Sequence, residues 1–334
     1  MKNPKPGTDG DKYIPYEQRT GPESIVYFTR DLSEKGLEKI YDKVKENIDG
    51  KIALKVHTGE PKGPNIIPRP WVKDFLEKKL PNATIVETNA YYAGERYTTE
   101  QHRKTLEING WTFSKVDIMD EFGTTDLPVK NGKWFDHMTV GKSLTNYDSF
   151  VTLTHFKGHV QGGFGGSNKN IGIGNADGRI GKAMIHTTPN QPNQWDIGKE
   201  EFMERVTEST KATVDHFGKK ITFINVMRNM SVSCDCEGVN AQPVVTPNVG
   251  ILASRDICAL DTACVDLVFT MSEKDGHDLQ ERIKSRHGLR QLTYMKEIGM
   301  GNDKYKLIDI DNGDKEITRE EAIKHIVPFV KSQS

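Results

Sequence analysis

Residues 154–169 concentrate side chains that can do acid–base, nucleophilic and metal-binding chemistry. The segment contains His155 and His159, Lys157 and Lys169, and five glycines. Histidine serves as a base or metal ligand near neutral pH, and lysine serves as a cation or an amine nucleophile. Glycine lets the backbone adopt positive φ and approach a ligand closely. The segment therefore predicts a ligand site.

The elements around this segment predict how it is positioned. The apolar residues 149–153 directly before it are typical of a buried strand, and open α/β sheets bind ligands at the carboxyl ends of their strands. From residue 24 onward, strand-like runs alternate with amphipathic helical segments, which predicts an α/β fold with a largely parallel sheet and helices on both faces. Examples are strands at 51–57, 83–88 and 221–226 and helices at 98–108, 200–217, 279–298 and 319–330.

The domain organisation follows from the same patterns. Residues 1–23 are polar and rich in Lys, Gly and Pro, and they predict a flexible N-terminal arm. Residues 24–334 predict a single α/β domain, with a sub-lobe boundary near residue 195, because no linker divides them.

Composition narrows the function classes. The 334 residues include 46 basic and 47 acidic ones, a formal net charge of −1, so nothing favours binding to nucleic acid or membranes. No apolar run approaches the roughly 20 residues needed to span a bilayer. The N-terminus lacks a signal-peptide core, and four cysteines require no disulfide framework, so we expect a cytoplasmic protein. The sequence leaves the oligomeric state open.

Four residues form a candidate set for catalysis: His102, His159, Lys169 and His186. His102 lies on a different strand–helix unit, and the carboxyl edge of the sheet would bring it close to the others. His155 is a second candidate within the glycine-rich loop. The alternative for any one of these histidines is an ordinary surface or core residue.

Three basic residues near the predicted sheet edge could bind an anion: Lys55, Arg69 and Arg96. Arginine clamps a carboxylate through paired hydrogen bonds, although a structural ion pair is the commoner role. The chain has no P-loop, since residues 178–182 have the wrong spacing, and it has no dinucleotide fingerprint. A small anionic metabolite is therefore the expected ligand.

The run from Cys234 to Glu237 places two thiols and two carboxylates within four residues. Cys234 and Cys236 would form half of a metal site, because zinc takes about four ligands. Cys258 or Cys264 could complete it, although both lie in an apolar helix and are typical of core residues. The alternative is a buried turn with inert thiols.

Several motifs together resemble the uncharacterised family known as domain of unknown function 362. They are residues 55–60, 91–96, 155–174, 234–236 and 250–268, and the resemblance runs from about residue 51 to 311. Many members of that family carry a ferredoxin-like cluster insertion. This chain lacks the insertion, so electron transfer by that route is not expected.

A more distant resemblance, over about residues 102–186, is to the nickel-dependent lactate racemase family. It implies a lactate-racemase-like N-terminal domain and a nickel-pincer nucleotide held by Lys169 after Gly165 and Gly166. It also implies His102 and His159 as acid/base groups, with His155 competing for the role of His159. His186 would be the nickel ligand.

The resulting hypothesis is a racemase- or epimerase-like enzyme for a small hydroxy acid. A neutral histidine would take the hydroxyl proton while hydride moves to a metal-activated cofactor on Lys169, and Arg69 or Arg96 would hold the carboxylate. One alternative is a metalloprotein or redox partner that uses Cys234 and Cys236 with another metal. The other is a non-catalytic protein that binds an anionic metabolite.

Overall fold

The computed structural model describes residues 10–328. In chain order its strands are β1 (Glu23–Thr29), β2 (Ile52–Val56), β3 (Ala83–Glu87), β4 (Val116–Ile118), β5 (Thr124–Pro128), β6 (His137–Gly141), β7 (Ser149–His155), β8 (Lys157–His159), β9 (Gly163–Gly165), β10 (Ile221–Met227), β11 (Gly250–Ser254), β12 (Lys304–Asp309) and β13 (Lys315–Ile317). Its helices are α1 (Glu34–Tyr41), α2 (Arg69–Lys79), α3 (Thr99–Ile108), α4 (Ser167–Gly174), α5 (Ile180–His186), α6 (Lys199–Phe217), α7 (Ile257–Thr270), α8 (Glu273–Ser285), α9 (Arg290–Glu297) and α10 (Arg319–Ile323).

Nine strands form one sheet in the order β13-β12-β1-β11-β10-β7-β2-β3-β4. Its strands run in one direction except β11, which is antiparallel to β1 and β10, and β13, which is antiparallel to β12. The prediction of a largely parallel sheet is confirmed. The sheet takes strands from both sides of residue 195.

Helices cover both faces of the sheet, as predicted. Leu54 and Val56 of β2 pack with the apolar side chains of α1, α2 and α3. Ala53, directly before Leu54, faces the core that α6, α7 and α9 cover. This alternation is what a strand buried on both sides requires, because successive side chains point to opposite faces.

Two predicted helices differ from the observed ones. The helix predicted over 279–298 is divided into two, α8, which already begins at Glu273, and α9. His287 adopts a left-handed φ of 57° between them, a conformation that a continuing helix excludes. The helix predicted over 319–330 ends at Ile323 within the described chain, and its last two positions lie outside the described residues.

The described part of the N-terminal arm packs against the body of the protein. Arg19 forms a buried ion pair with Asp266 of α7 at 2.6 Å, and the Tyr13 hydroxyl donates to the same carboxylate at 2.8 Å. Residues 1–9 of the predicted arm lie outside the described residues. None of the helices in the described chain is long and apolar enough to cross a membrane.

Candidate functional site

A cavity of about 280 Å³ opens where strands β2 and β3 end. Its wall also includes the β8–β9 hairpin, helices α4 and α5, the loop after β3 and the loop that carries Cys234. The carboxyl ends of parallel strands are the expected place for a ligand in an α/β sheet. The cavity therefore lies where the strand pattern predicted a site.

The charges on the cavity wall favour an anionic ligand. Within residues 10–328 the wall carries two carboxylates, Glu87 and Glu237, against five basic side chains: Lys55, Arg96, Lys157, Lys169 and Lys182. An excess of one sign in a partly closed cleft raises the local concentration of ions of the opposite sign. The wall thus suits a small organic anion.

Lys55, Glu87 and His57 form a buried cluster at the ends of β2 and β3. Lys55 Nζ donates to Glu87 Oε2 at 2.8 Å, and His57 Nδ1 lies 3.3 Å from Glu87 Oε1. Because the carboxylate can only accept, His57 carries its proton on Nδ1. His57 Nε2 has no hydrogen-bond partner among the described residues. Burial lowers the pKa of His57, so the ring is neutral with Nε2 ready to accept a proton.

His186, the last residue of α5, presents a second accepting nitrogen. Its Nδ1 donates to the Lys182 carbonyl oxygen at 2.8 Å, which leaves the lone pair on Nε2. The ring stacks on Tyr91, with 5.6 Å between the ring centroids. Burial lowers the pKa of His186 to about 4, so the ring is neutral at pH 7.

Lys182 is unlike the other buried lysines, because its amine contacts neutral oxygens. Its Nζ donates to Thr88 Oγ1 at 2.7 Å and to the Asn89 carbonyl oxygen. Burial lowers the pKa of Lys182 to about 7. At pH 7 this amine is therefore present in both its charged and its neutral form.

Lys169 is positioned by the first turn of α4. The carboxylate of Asp261 accepts the backbone N–H groups of Ser167 and Asn168, both at 2.8 Å. A Cβ at Gly166 would lie only 2.5 Å from Asp261 Oδ1, so glycine is needed for this close approach. Within the described chain, Lys169 Nζ has no hydrogen-bond or ion-pair partner, although the residue lines the cavity.

Arg96 is held by the turn that follows β2. Its Nε donates to Glu60 Oε1 at 2.7 Å, and one terminal nitrogen donates to the Tyr92 hydroxyl at 3.0 Å. Tyr92 in turn donates to the Glu60 carboxylate. The guanidinium is therefore fixed in place at the cavity wall, a good arrangement for contacting a carboxylate.

Lys157, Asp235 and His155 form a second buried cluster, at the ends of β7 and the loop after β10. Lys157 Nζ lies 3.2 Å from Asp235 Oδ2, and His155 Nδ1 lies 2.8 Å from the same oxygen. His155 Nε2 lies 2.6 Å from the Arg228 carbonyl oxygen. Both ring nitrogens thus face acceptors, and a proton on each of them satisfies both contacts.

His159, Cys234 and Cys236 bring their ligand atoms within 4.8 Å of one another, close enough to share a metal ion. His159 Nδ1 accepts the backbone N–H groups of Gln161 at 3.1 Å and Gly162 at 2.8 Å. The proton of the neutral ring is therefore on Nε2, the nitrogen nearer the sulfurs.

This hydrogen bonding does not fit a ligand role for His159. A metal-bound histidine normally donates its second ring N–H to an acceptor, whereas His159 Nδ1 accepts. Coordination through Nε2 would require removing its proton or turning the ring. Without His159 the two sulfurs fall short of the four ligands that zinc takes.

The structure brings nine of the predicted site residues to the cavity wall: Lys55, Arg96, His159, Gly165, Gly166, Lys169, His186, Cys234 and Cys236. Three others are not on it. His155 is used in the cluster with Asp235, and Arg69 begins α2. His102 is fully buried in α3, with Nδ1 3.3 Å from Asn89 Oδ1.

Sequence reasoning missed several residues of the wall, namely His57, Glu87, Tyr92 and Lys182, and it gave Lys157 no specific role. A signal existed for two of them. His57 directly follows β2 and Glu87 ends β3, so the rule that places ligands at carboxyl ends selects both. Lys182 carries no such signal in the sequence, because its lowered pKa comes from burial beside neutral oxygens.

The chain matches the family described as domain of unknown function (DUF362) over residues 52–266. No curated protein matches it. Among solved structures, it is similar to the lactate racemase apoprotein from Thermoanaerobacterium thermosaccharolyticum, with 13% identity, a TM-score of 0.36, and coverage of 90% of this chain and 86% of that one. A structural genomics target from Thermotoga maritima shares 14% identity with a TM-score of 0.34, over 60% of this chain and 51% of that one. Both scores are too low for either likeness to bear on activity.

Proposed function

Since the chain belongs to the domain of unknown function 362 family, whose name assigns no reaction, we propose a function from the cavity itself. The protein is an enzyme that binds a small organic anion and moves a proton on it, as a racemase or epimerase of a hydroxy acid does. The observation that carries this proposal is the pairing of His57 with Glu87 at the edge of a cationic cavity.

Anion binding is assigned to the basic side chains that are available to donate to a ligand. Lys55 has no N–H group left for a ligand, because its Nζ donates to Glu87, to Asn170 and to the Val56 carbonyl oxygen. Lys169 has no partner within residues 10–328, and Arg96 is held by Glu60 and Tyr92. Lys169 and Arg96 are therefore the residues that would bind the substrate carboxylate.

Proton transfer is assigned first to His57. Its Nε2 accepts the substrate proton, while Glu87 stabilises the imidazolium that forms, as a carboxylate does behind a catalytic histidine. His186, on a different element, offers a second Nε2 that is fixed by the Lys182 carbonyl oxygen. Two acceptors on separate elements suit inversion of a carbon centre, because each enantiomer needs its own base.

The nickel-pincer nucleotide implied by the resemblance remains a prediction, and two of its expected partners fit. Lys169 offers an unpaired amine, and His186 has Nδ1 bonded to a carbonyl oxygen and Nε2 unprotonated, the usual state of a metal-bound histidine. Such a cofactor would supply a hydride acceptor when bound. His186 would then be the ligand, and His57 would be the base.

The test is inversion of a panel of small chiral 2-hydroxy acids, such as lactate, malate and glycerate, in D2O. Chiral chromatography measures the loss of optical purity, and NMR measures deuterium at the carbon centre. Inversion with deuterium supports proton abstraction from carbon, and inversion without it supports removal of the hydroxyl proton with hydride transfer.

Two variants test whether the reaction takes place in the cavity. His57→Gln is expected to slow inversion by about 10²–10⁴-fold, whereas His137→Gln, at an exposed position on β6, is expected to preserve it. Thermal stabilisation by the same acids without any inversion would contradict the enzyme and favour a metabolite-binding protein. Inversion at the wild-type rate in His57→Gln would move the base elsewhere.

A further inference from the structure

Cys234 and Cys236 line the cavity but have no part in the proton transfer proposed above. They flank the start of a short 3-10 helix, Asp235–Asn240. The other two cysteines, Cys258 and Cys264, are fully buried in α7. The described chain thus has two thiols on the cavity wall and two in the core.

The loop around Cys234 is held in one conformation. The Glu237 carboxylate accepts the Cys234 backbone N–H at 2.9 Å and the Ser233 hydroxyl at 2.7 Å. The backbone N–H of Cys236 donates to Cys234 Sγ at 3.3 Å. An N–H aimed at sulfur stabilises a thiolate more than a thiol, because the negative charge makes sulfur a better acceptor.

Other donors and charges around Cys234 also stabilise its thiolate. A hydrogen bond from the Cys236 thiol, with the charge of Lys169 and the nearby His159, holds the pKa of the Cys234 thiol well below its usual range despite burial. His159 Nε2 carries a proton and lies 3.9 Å from Cys236 Sγ. His159 is therefore a donor to the sulfurs and not a base, because its Nδ1 is already occupied by two N–H groups.

The two thiols differ in the way that dithiol exchange requires. The hydrogen bond to Cys234 and burial raise the pKa of Cys236 well above its ordinary value, so it remains a thiol beside the Cys234 thiolate. An attacking thiolate next to a protonated resolving thiol is the arrangement of disulfide oxidoreductases. The two Sγ atoms lie within 4.8 Å of each other, so closing a disulfide between them requires the loop to leave the conformation seen here.

We propose that Cys234 and Cys236 form a dithiol site that reduces small anionic disulfides in the cavity. The Cys234 thiolate attacks one sulfur of the disulfide, which forms a mixed disulfide and releases the first half as a thiolate. Cys236 then attacks Cys234 Sγ, the protein disulfide closes, and the second half leaves with the Cys236 proton as a thiol. The substrate disulfide gains two electrons and the protein loses two. The cationic wall, with Lys157 and Lys169, selects for negative charge on the disulfide.

The probe is dithiobis(nitrobenzoate), a chromogenic disulfide with two carboxylates, added to the folded protein. The wild type is expected to release two nitrothiobenzoate ions per chain and to end with no label and a mass lower by two hydrogens. Cys236→Ser is expected to release one and to retain the other on Cys234. Cys234→Ser should lose the fast reaction, and Cys258→Ser should behave like the wild type.

Charge and pH sharpen the test. Cystamine, a disulfide with two positive charges, is expected to react more slowly than the dianionic probe. The rate with Cys234 should fall less between about pH 8 and about pH 6 than the rate of a thiol with the ordinary pKa of about 8.5, which slows about tenfold per pH unit.

Three outcomes would overturn the proposal. The first is an absence of fast release, and the second is a wild type that keeps the label and never closes its own disulfide. The third is stoichiometric zinc binding that is lost in both Cys→Ser variants, which would assign the sulfurs to a metal. Thiolate release is measured without any hydroxy acid, so failure of the proposed inversion leaves this test intact.

Discussion

Two clusters of the same composition lie at the carboxyl edge of the sheet. In one, Lys55 and His57 share Glu87, and in the other, Lys157 and His155 share Asp235. Both have a lysine and a histidine two residues apart that meet a carboxylate from another element. They differ at the second ring nitrogen. His57 Nε2 is unpartnered among the described residues, and His155 Nε2 faces the Arg228 carbonyl oxygen.

This difference separates a chemical role from a structural one. A histidine whose two nitrogens both meet acceptors has no lone pair left for a substrate, so His155 ties β7 to the loop after β10. A histidine with one nitrogen bound to a carboxylate and the other free is a base with a stabilised conjugate acid. Both residues are histidines near a strand end, and the partner of Nε2 decides the role of each one.

The largest expected effect comes from removing either carboxylate, which tests what the clusters share. Glu87→Gln and Asp235→Asn each leave a buried lysine unpaired, and each should lower the free energy of unfolding by about 3–5 kcal/mol in urea titrations. Glu46→Gln, in an exposed ion pair with Arg255, is the control and should cost less than about 1 kcal/mol. If the two buried substitutions match the control, the clusters do not hold the sheet edge together.

Replacing each histidine tests the difference between the clusters. His155→Gln should lower the free energy of unfolding by about 1–3 kcal/mol, because it disturbs both Asp235 and the Arg228 carbonyl oxygen. It should leave inversion of the hydroxy acid intact. His57→Gln should cost less stability and should slow inversion by about 10²–10⁴-fold. The opposite pattern, with activity lost only in His155→Gln, would reverse the assignment.

Much of the fold was predictable from sequence, because it rests on local patterns. Alternation of strands and helices predicted the parallel sheet, and α3 was expected close to its observed limits. In the structure a capping box of Thr98 and Gln101 begins this helix. The break between α8 and α9 was not predicted. It depends on the left-handed conformation of His287, a residue type that rarely signals one.

The site was predictable in part. The glycines and reactive side chains in 154–169 drew attention to His159 and Lys169, and both residues line the cavity. The roles of individual histidines were beyond sequence, because their partners come from distant segments. Asp235 is 80 residues from His155, and Glu87 is 30 residues from His57. Only the fold decides which ring nitrogen remains free.

His102 extends the comparison to a third histidine, since its Nε2 is also unpartnered among the described residues but the residue is absent from the cavity wall. Burial lowers its pKa to about 3, whereas the unfolded chain titrates at about 6.5. As the pH falls, the unfolded state therefore binds this proton before the folded state does. The contribution of His102 to the free energy of unfolding is full above about pH 6.5. It is lost as the pH falls toward about 3, at up to about 1.4 kcal/mol per pH unit. His102→Phe should flatten the pH dependence of the free energy of unfolding by that slope, and His137→Gln, on the exposed β6 position, should not. If His102→Phe instead abolishes inversion while the pH slope is unchanged, a free nitrogen outside the cavity is enough for chemistry, and the requirement that the base lie on the cavity wall fails.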